Sequence, residues 1–541
     1  MRAPIFIALA LMLCAGSATQ AAAPAGSKER LRRLARLPRL SLTLGMSFDP
    51  LRGIALMPDR VLAMHEIEDL RKGMQDNASD APRHTRIGRL LEGIGSLNEA
   101  RQAYTNAVSL HRRQGAEQGD DGPTLADYGA ALHGLGELDA AERVLRRGVQ
   151  VAPAAWTPHA ALGRLLSAQA LASLVPAAAN GGGDPFAALV SAEGPSAKPA
   201  PAQLEQAQTR IEESVLCYDR AIELAPDVAE VYTGRAAVRV FHNLLEWMRD
   251  PDAGSEPQPM RFARALYPPE ALPDLRQAMR LAPKDPMALG TAMLFELFSS
   301  ALEQGSLQSE SIGTGNSWAN LPERTRQSVR ESLTRLEEMS QDAKSHTAAA
   351  ALELLGSLQC FVVNDVPGAE QTLRRATALD SKRTQAWETL IFILATSKRS
   401  EALEAVCEDR LKAEESARAR LLLAKSHEMR SDWNRVLETT ETLERRYPED
   451  VYANLAAAAA VLHTTRDEAG LRRAAQSIAK AEKLLGTAPA RDEVVNLLFL
   501  RGLLFALADA TEPALHQLRQ VRQIEPHFEG VEEALEIVEQ M

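Results

Sequence analysis

Residues 87–107 read IGRLLEGIGSLNEARQAYTNA, and residues 128–148 read YGAALHGLGELDAAERVLRRG. Both stretches contain a small residue, a leucine three positions later and a glycine four positions after that. An alanine, a bulky residue and a second small residue follow at intervals of five, four and three positions. One pattern repeated along a chain indicates an array of similar supersecondary units.

Each repeated position has a structural explanation. Two small residues let two helices cross closely, a glycine turns the chain between them, and a proline ends the second helix. The pattern resembles the tetratricopeptide repeat, a helix–turn–helix unit of 34 residues. The repeated positions are Gly88, Leu91, Gly95, Ala100, Tyr104 and Ala107 in the first copy, and Gly129, Leu132, Gly136, Ala141, Leu145 and Gly148 in the second, which ends at Pro153.

Partial copies of this pattern extend from Ala81 to Pro526. The resemblance therefore implies an all-α fold, a right-handed α-solenoid of about ten helix–turn–helix pairs. The spacing supports this reading, because equivalent first-helix positions recur every 33 or 34 residues: Gly129 and Gly163, then Ser357, Ile391, Ala424 and Ala458.

Such an array needs a capping element at each end. Residues 527–541 carry an apolar stripe and five glutamates, which predicts a C-terminal capping helix. Residues 58–75 predict a helix before the first pair. We therefore divide the repeat region into an N-terminal solenoid, residues 58–343, and a C-terminal solenoid with its capping helix, residues 344–541.

The middle of the chain departs from the repeat spacing, since Pro153 to Pro226 spans 73 residues and Pro226 to Pro283 spans 57. The extra residues predict inserted loops at 173–201, 249–261 and 303–321, each in the turn between the two helices of one pair. Equivalent turns of a solenoid share one edge, so the loops either form a partner-binding surface there or are tolerated insertions. The candidate loop contacts are Phe186, Leu189 and Trp318.

The N-terminus has the order of a secretory signal peptide. Arg2 precedes an apolar run over residues 5–15, and small residues follow, so we predict a signal peptide at residues 1–23 that is cleaved after Ala18 or Ala23. Lipidation of Cys14 is an alternative, although Leu13 is a poor neighbour for it.

The segment after the predicted signal, residues 24–57, is basic and is expected to be poorly structured. Positive charge at this place opposes export, so an uncleaved membrane anchor is a further alternative. We expect a periplasmic or secreted protein with no membrane span after signal cleavage.

Composition disfavours several functions. The 541 residues have a formal net charge of −11 and contain 24 aromatic side chains, so the chain is a poor partner for nucleic acid. The three cysteines beyond the signal cannot all pair, and whether Cys360 and Cys407 form a disulfide stays open.

Motifs for catalysis and metal binding are missing from the sequence. No phosphate-binding GxxxxGK[ST] and no GxSxG is present, and none of the eleven histidines pairs with another at helical spacing. His65 and Glu66 begin an HExxH pattern, but Asp69 replaces the second histidine, so we expect an exposed helical face there. We predict no cofactor, no metal and no enzymatic activity.

In the tetratricopeptide family the first helix of each pair lines a concave, peptide-binding groove. The resemblance implies that Arg89, Glu92, His133 and Arg164 lie in this groove. Alanines at 126 and 130 replace the lysine and asparagine types that clamp a C-terminal carboxylate in one version of the fold. Arg89 and Arg164 either bind an acidic peptide or are ordinary solvated arginines.

The sequence thus predicts a non-enzymatic scaffold of the bacterial cell envelope that binds other proteins through the groove, the inserted loops or both. The alternative is a small-ligand or glycan-binding protein on the same framework, for which Trp247, Trp318 and Phe186 are the candidate contacts. An enzyme or regulatory subunit without a recognisable motif is the third possibility.

Overall fold

The computed structural model describes residues 33–34, 36–37, 59–74, 80–174, 199–249, 258–303, 317–341, 346–465, 467–486, 489 and 491–541. All regular elements in these ranges are helices. Contacts divide them into an N-terminal unit, residues 50–386, and a C-terminal unit, residues 387–541 with the described residues among 1–49. The division thus lies at 386/387, whereas the sequence suggested 343/344.

Among the described residues, fifteen α-helices lie wholly within the N-terminal unit. They are α1 (Arg60–Met74), α2 (Ala81–Gly93), α3 (Leu97–Arg113), α4 (Gly122–Gly134), α5 (Leu138–Val151), α6 (Trp156–Leu174), α7 (Pro201–Leu224), α8 (Ala229–Arg249), α9 (Gln258–Leu266), α10 (Leu272–Leu281), α11 (Pro286–Glu303), α12 (Ser317–Asn320), α13 (Glu323–Met339), α14 (His346–Leu358) and α15 (Val366–Leu379).

Helix α16 (Thr384–Thr396) spans the division between the units. The C-terminal unit continues with α17 (Ser400–Ala413), α18 (Ala417–Met429), α19 (Trp433–Arg446), α20 (Val451–Thr464), α21 (Glu468–Leu484), α22 (Arg491–Leu507), α23 (Thr511–Ile524) and α24 (Val531–Glu539).

These helices form ten consecutive pairs along the described chain, from α2 and α3 to α22 and α23. The prediction of an all-α repeat array of about ten helix–turn–helix pairs is confirmed. In the three middle pairs, the second helix is α7, α10 or α13, and the segment before it contains the predicted insertion.

Glycines in the first helix of a pair set how closely the second helix packs. A Cβ built on Gly129 of α4 would lie 2.4 Å from the Leu145 Cγ of α5, and one on Gly502 of α22 would lie 2.9 Å from the Leu518 Cγ of α23. No ordinary side chain fits at such distances without a shift of the neighbouring helix. The sequence pattern therefore repeats because the same helix crossing repeats.

In six of the ten described pairs, the turn between the two helices contains one residue in the left-handed backbone region. Glycine adopts this conformation without a steric penalty, whereas other residues adopt it at some cost. The equivalent residues are Gly95 (φ 79°), Gly136 (φ 83°), Asn364 (φ 63°), Lys398 (φ 54°), Ser431 (φ 59°) and Asp509 (φ 57°). Copies without a turn glycine keep the same turn geometry, which explains why the sequence pattern looks weaker there.

One predicted repeat position shifts by a residue. The sequence assigned the small first-helix position of the sixth pair to Ser357, but the close contact is made by Gly356, whose Cβ would lie 2.6 Å from the Leu373 Cγ. The reason is a π-helical turn at Gln359–Val363, which adds one residue to the end of the first helix. Because of this added residue, the turn residue Asn364 keeps the sequence position that the repeat pattern predicts for it.

Each of the three insertions lies between the two helices of its own pair, as predicted. Phe186 and Leu189 lie outside the described residues. Residues 249–261 and 303–321 were expected to be loops, but their described ends are helical: α9 begins at Gln258, and Trp318 belongs to α12. Apolar residues such as Phe262 explain the additional helix α9, since they pack against the N-terminal core.

The N-terminal residues have a partly unexpected arrangement. The predicted signal peptide, its cleavage sites and Cys14 lie outside the described residues. Leu34, in the segment expected to be poorly structured, is fully buried in the C-terminal unit with Val531 and Leu535 of α24. Arg33 forms an ion pair with Glu533 of the same helix at 3.1 Å. Part of the basic segment therefore packs against the C-terminal helix.

One stretch of the described chain, His346–Val363, is long and apolar enough to cross a membrane by length and composition. In the structure, 61% of that stretch is buried. Its leucines Leu354, Leu355 and Leu358 belong to an apolar cluster with Val329 and Leu336 of α13. The apolar surface of α14 is thus used in packing within the N-terminal unit.

The helix crossing at Gly129 gives the first testable prediction. We expect Gly129→Ala to lower the free energy of unfolding, because overpacking costs about 1–3 kcal/mol and exceeds the roughly 0.5–1 kcal/mol gained by replacing a helical glycine. Urea denaturation followed by circular dichroism measures the change. Gly486→Ala is the control, since nothing lies within 4 Å of its Cβ. Equal stability of the two variants would contradict the packing explanation.

Candidate binding groove

Two tyrosines occupy the same place in different pairs. The Tyr104 ring of α3 lies between Gly88 of α2 and Gly134 of α4, where added Cβ atoms would come within 2.5 Å and 2.2 Å of it. The Tyr218 ring of α7 lies in the same way between Gly163 of α6 and Gly234 of α8. Each tyrosine thus packs between the first helix of its own pair and the first helix of the next.

The phenol groups of these tyrosines bond to charged residues of the first helices. Tyr104 Oη donates a hydrogen bond of 2.7 Å to Glu92, and Tyr218 is hydrogen-bonded to Arg164. Burial raises the pKa of both phenols, so both stay protonated at neutral pH. The packing tyrosines therefore position charged groups as well as helices.

Arg164 is the most strongly paired residue of this region. Its guanidinium lies 2.5 Å from a Glu230 carboxylate oxygen, which links α6 to α8. Burial lowers the pKa of Arg164, but Tyr218 and Glu230 outweigh that effect and raise the pKa above its usual value. The Arg164 side chain is 37% exposed and that of Glu230 is 48% exposed, so the pair remains accessible.

Arg89 lies nearby on α2 without such a partner. Among the described residues no carboxylate forms an ion pair with it. Burial and the positive charge of Arg164 lower the pKa of Arg89, and Glu230, Asp127 and Tyr104 oppose this effect in part. The region therefore contains a positive charge that no described side chain neutralises directly.

His133 of α4 lies in the electrostatic field of both arginines. Burial, then Arg164, then Arg89 lower the pKa of its imidazole to about 4. The ring is consequently neutral at pH 7, with one nitrogen able to donate a hydrogen bond and the other able to accept one.

The structure brings three of the four sequence-predicted groove residues into one electrostatic cluster: Arg89, His133 and Arg164. Glu92 is exposed and joins the cluster through Tyr104. We call these residues, together with Tyr104, Tyr218 and Glu230, the arginine groove. Its charged residues and His133 lie on the first helices α2, α4, α6 and α8, and its two tyrosines lie on the second helices α3 and α7.

Glu230 was missed by the sequence reading. It is the second residue of α8, whereas the four predicted groove residues are the ninth or twelfth residues of their helices. The hydrogen bond between Tyr218 and Arg164 was harder to predict from the sequence. The insertion in this pair lengthens the spacing from Pro153 to Pro226 to 73 residues, which obscures the repeat pattern.

The candidate contacts of the inserted segments are partly buried. Trp318 packs with Leu321 and Leu333, and the Arg330 guanidinium lies 5.8 Å from the centre of its ring. The Trp247 ring packs at 4.9 Å from that of Phe262. Both indoles are thus partly buried.

His65 differs from the sequence expectation. It was expected on an exposed helical face, but its side chain is 20% exposed and its ring stacks on that of His346 at 3.3 Å. The contact joins α1 to α14, two helices whose proximity no local pattern reveals. Because the sequence reading sought histidines at helical spacing, it could not find this pair.

The three described cysteines are free thiols. Burial raises the pKa of Cys217 and of Cys360 to about 11, and it also raises the pKa of Cys407. Such thiols are mostly protonated at neutral pH and are weak nucleophiles.

No protein-family model matches the sequence, and a search of curated proteins finds no match. Among solved structures, a tetratricopeptide repeat protein from Parabacteroides merdae is 15% identical over 57% of this chain and 99% of its own, with a TM-score of 0.33. Yeast Tom70 is 12% identical, with 88% and 91% coverage and a TM-score of 0.34. YrrB, a TPR protein with an unusual peptide-binding site, is 16% identical, with 38% and 97% coverage and a TM-score of 0.28.

The chain folds into consecutive helix pairs of the kind that its resemblance to the tetratricopeptide repeat implies. The likeness rests on its own geometry: paired helices, glycine contacts within the pairs and left-handed turn residues. The charged residues of the arginine groove lie on the first helices of the first four pairs.

The field around His133 gives the second prediction. We expect Arg164→Gln to raise the pKa of His133 from about 4 toward its ordinary value near 6.5, because the variant removes a repelling charge and releases Glu230. Nuclear magnetic resonance of protein labelled at the histidine Cε1 position measures the pKa as pH is varied. Arg143→Gln, an exposed change on α5, should leave it unaltered. An unchanged His133 pKa in Arg164→Gln would refute the proposed coupling.

Proposed function

We propose that this protein is a non-enzymatic scaffold that binds an acidic segment of a partner protein in the arginine groove. The observation that supports this most directly is Arg89, a partly buried cation without an ion-pair partner among the described residues. A carboxylate placed beside Arg89 would form charge-assisted hydrogen bonds and would offset the repulsion from Arg164.

The surrounding residues suit such a ligand. The Arg164–Glu230 pair is accessible, so an incoming carboxylate can share the Arg164 guanidinium. His133 is neutral and can donate a hydrogen bond to the ligand or accept one from a peptide amide. Glu92, held by Tyr104, places a negative charge beside the cations and would disfavour a uniformly acidic ligand at that point.

The N-terminal sequence supports a proposal for the cellular location of this protein. We propose that the protein acts in the cell envelope, as a periplasmic or secreted scaffold. Support comes from the order of Arg2, the apolar run at residues 5–15 and the small residues up to Ala23. A membrane-anchored form is the alternative that cell fractionation would distinguish, since a cleaved protein is released with the soluble periplasmic fraction.

Peptide titration tests the groove directly. We expect a fluorescein-labelled peptide with alternating glutamate and alanine to bind the full chain, and the double variant Arg89→Ala/Arg164→Ala to weaken that binding about 10- to 100-fold. This corresponds to the roughly 1.5–3 kcal/mol typical of a hydrogen bond to a charged group. Raising the salt concentration should weaken binding as well, because these charges are partly exposed. Fluorescence anisotropy measures both effects.

The matched control is Arg143→Ala/Arg113→Ala, which removes two exposed arginines from the second helices α5 and α3. Equal loss in the control and the groove variant would show unspecific charge attraction and contradict the proposal. A photo-crosslinking amino acid at Ala130 of α4 should trap the peptide, whereas one at Arg143 should not.

A further inference from the structure

Three potential metal ligands meet at the contact between α1 and α14. They are His65 of α1, His346 at the start of α14, and Asp380 directly after α15. The His65 Nε2 and His346 Nδ1 atoms lie 3.8 Å and 3.9 Å from the same carboxylate oxygen, Asp380 Oδ2. All three ligand atoms lie within 4.8 Å of one another.

The Asp380 carboxylate is the informative member of this group. Its side chain is 9% exposed, and its Oδ2 atom is buried without a hydrogen-bond partner. The other oxygen, Oδ1, accepts a hydrogen bond of 3.0 Å from the Lys382 backbone N–H. Buried carboxylate oxygens are nearly always paired, because desolvation of an unpaired one is costly. Oδ2 is therefore the atom of this group that is left without a partner at hydrogen-bond distance.

Arg383 is the neighbouring cation, and its closest carboxylate contacts are with other residues. This fully buried guanidinium is hydrogen-bonded to Asp59, a residue 324 positions away in sequence, and lies 3.6 Å from Glu353. Its Nε lies 3.8 Å from Asp380 Oδ2, which is too long for a hydrogen bond. Asp380 Oδ2 and Arg383 Nε are therefore both left without a hydrogen-bond partner at this place.

The two imidazoles suit the role of neutral ligands. Their rings stack with an interplanar angle of 16°, an arrangement that two protonated rings would oppose by charge repulsion. Metal ions bind the neutral form of imidazole.

We propose that His65 Nε2, His346 Nδ1 and Asp380 Oδ2 bind one divalent transition-metal ion of the zinc type. Nitrogen and carboxylate ligands at 2.0–2.2 Å suit zinc, and three protein ligands leave a fourth position for water. A tetrahedral site needs ligand atoms about 3.3 Å apart, so two of the observed separations must shorten by roughly 0.5 Å.

Binding also requires the imidazole stack to open, since each nitrogen lone pair lies in the plane of its ring. His346 can make this change, because its side chain is 54% exposed and it is the first residue of α14. The bound ion would fasten the N-terminal helix α1 to the sixth helix pair and stabilise the N-terminal unit by linkage.

Zinc titration of the untagged full-length protein tests the site. We expect isothermal titration calorimetry to show one Zn²⁺ bound per chain. We expect Co²⁺ to give visible absorption bands typical of tetrahedral coordination, and Zn²⁺ to raise the melting temperature.

His346→Ala should weaken Zn²⁺ binding at least about 100-fold, because changes to groups that merely support a ligand already cost 10- to 100-fold. The matched control, His516→Ala, removes an exposed histidine of α23 and should bind Zn²⁺ as the wild type does.

A second variant distinguishes loss of the metal site from loss of the folded structure. Asp380→Asn keeps the size of the side chain but removes its charge, and it should also abolish the Co²⁺ bands while the helical circular dichroism stays unchanged. Absence of Zn²⁺ binding by the wild type would overturn the proposal. So would binding that both His346→Ala and Asp380→Asn retain.

Discussion

The close crossing of two helices at a glycine is the constraint on which this structure depends. Gly88, Gly129, Gly163 and Gly502 have no room for a Cβ, because a bulky side chain of the second helix fills that space. The array buries apolar surface only when neighbouring helices approach this closely. The same crossing sets the spacing of the first helices, and thereby the spacing of the charged side chains that they present.

The groove is a consequence of this packing. Tyr104 and Tyr218 each fill the space between two glycines of successive first helices, and their phenol groups emerge beside Glu92 and Arg164. A residue that packs the core thus also positions a charged surface group. Displacement of either tyrosine ring would shift the neighbouring helices and also the charged groups. The stability of the fold is therefore coupled to the electrostatics of the groove.

The sequence was sufficient to predict the helix pairs and three members of the groove cluster, because both follow from a local pattern counted along the chain. It misplaced one position at Ser357, where a π-helical turn adds a residue that no pattern of apolar residues reveals. It also missed the proximity of His65 to His346 and the burial of Leu34, which depend on contacts between segments distant in sequence. Local periodicity predicts how the helix pairs form, whereas these contacts join segments that no local pattern relates.

The most direct test of the account is hydrogen–deuterium exchange of the full chain with and without the glutamate–alanine peptide. Binding in the arginine groove should slow amide exchange in the first helices α2, α4, α6 and α8, because bound peptide suppresses their local opening. Exchange in the second helices α3 and α5 should change less. Protection confined to second helices, or no protection at a peptide concentration that saturates the anisotropy signal, would contradict the central claim that the first helices form the binding surface.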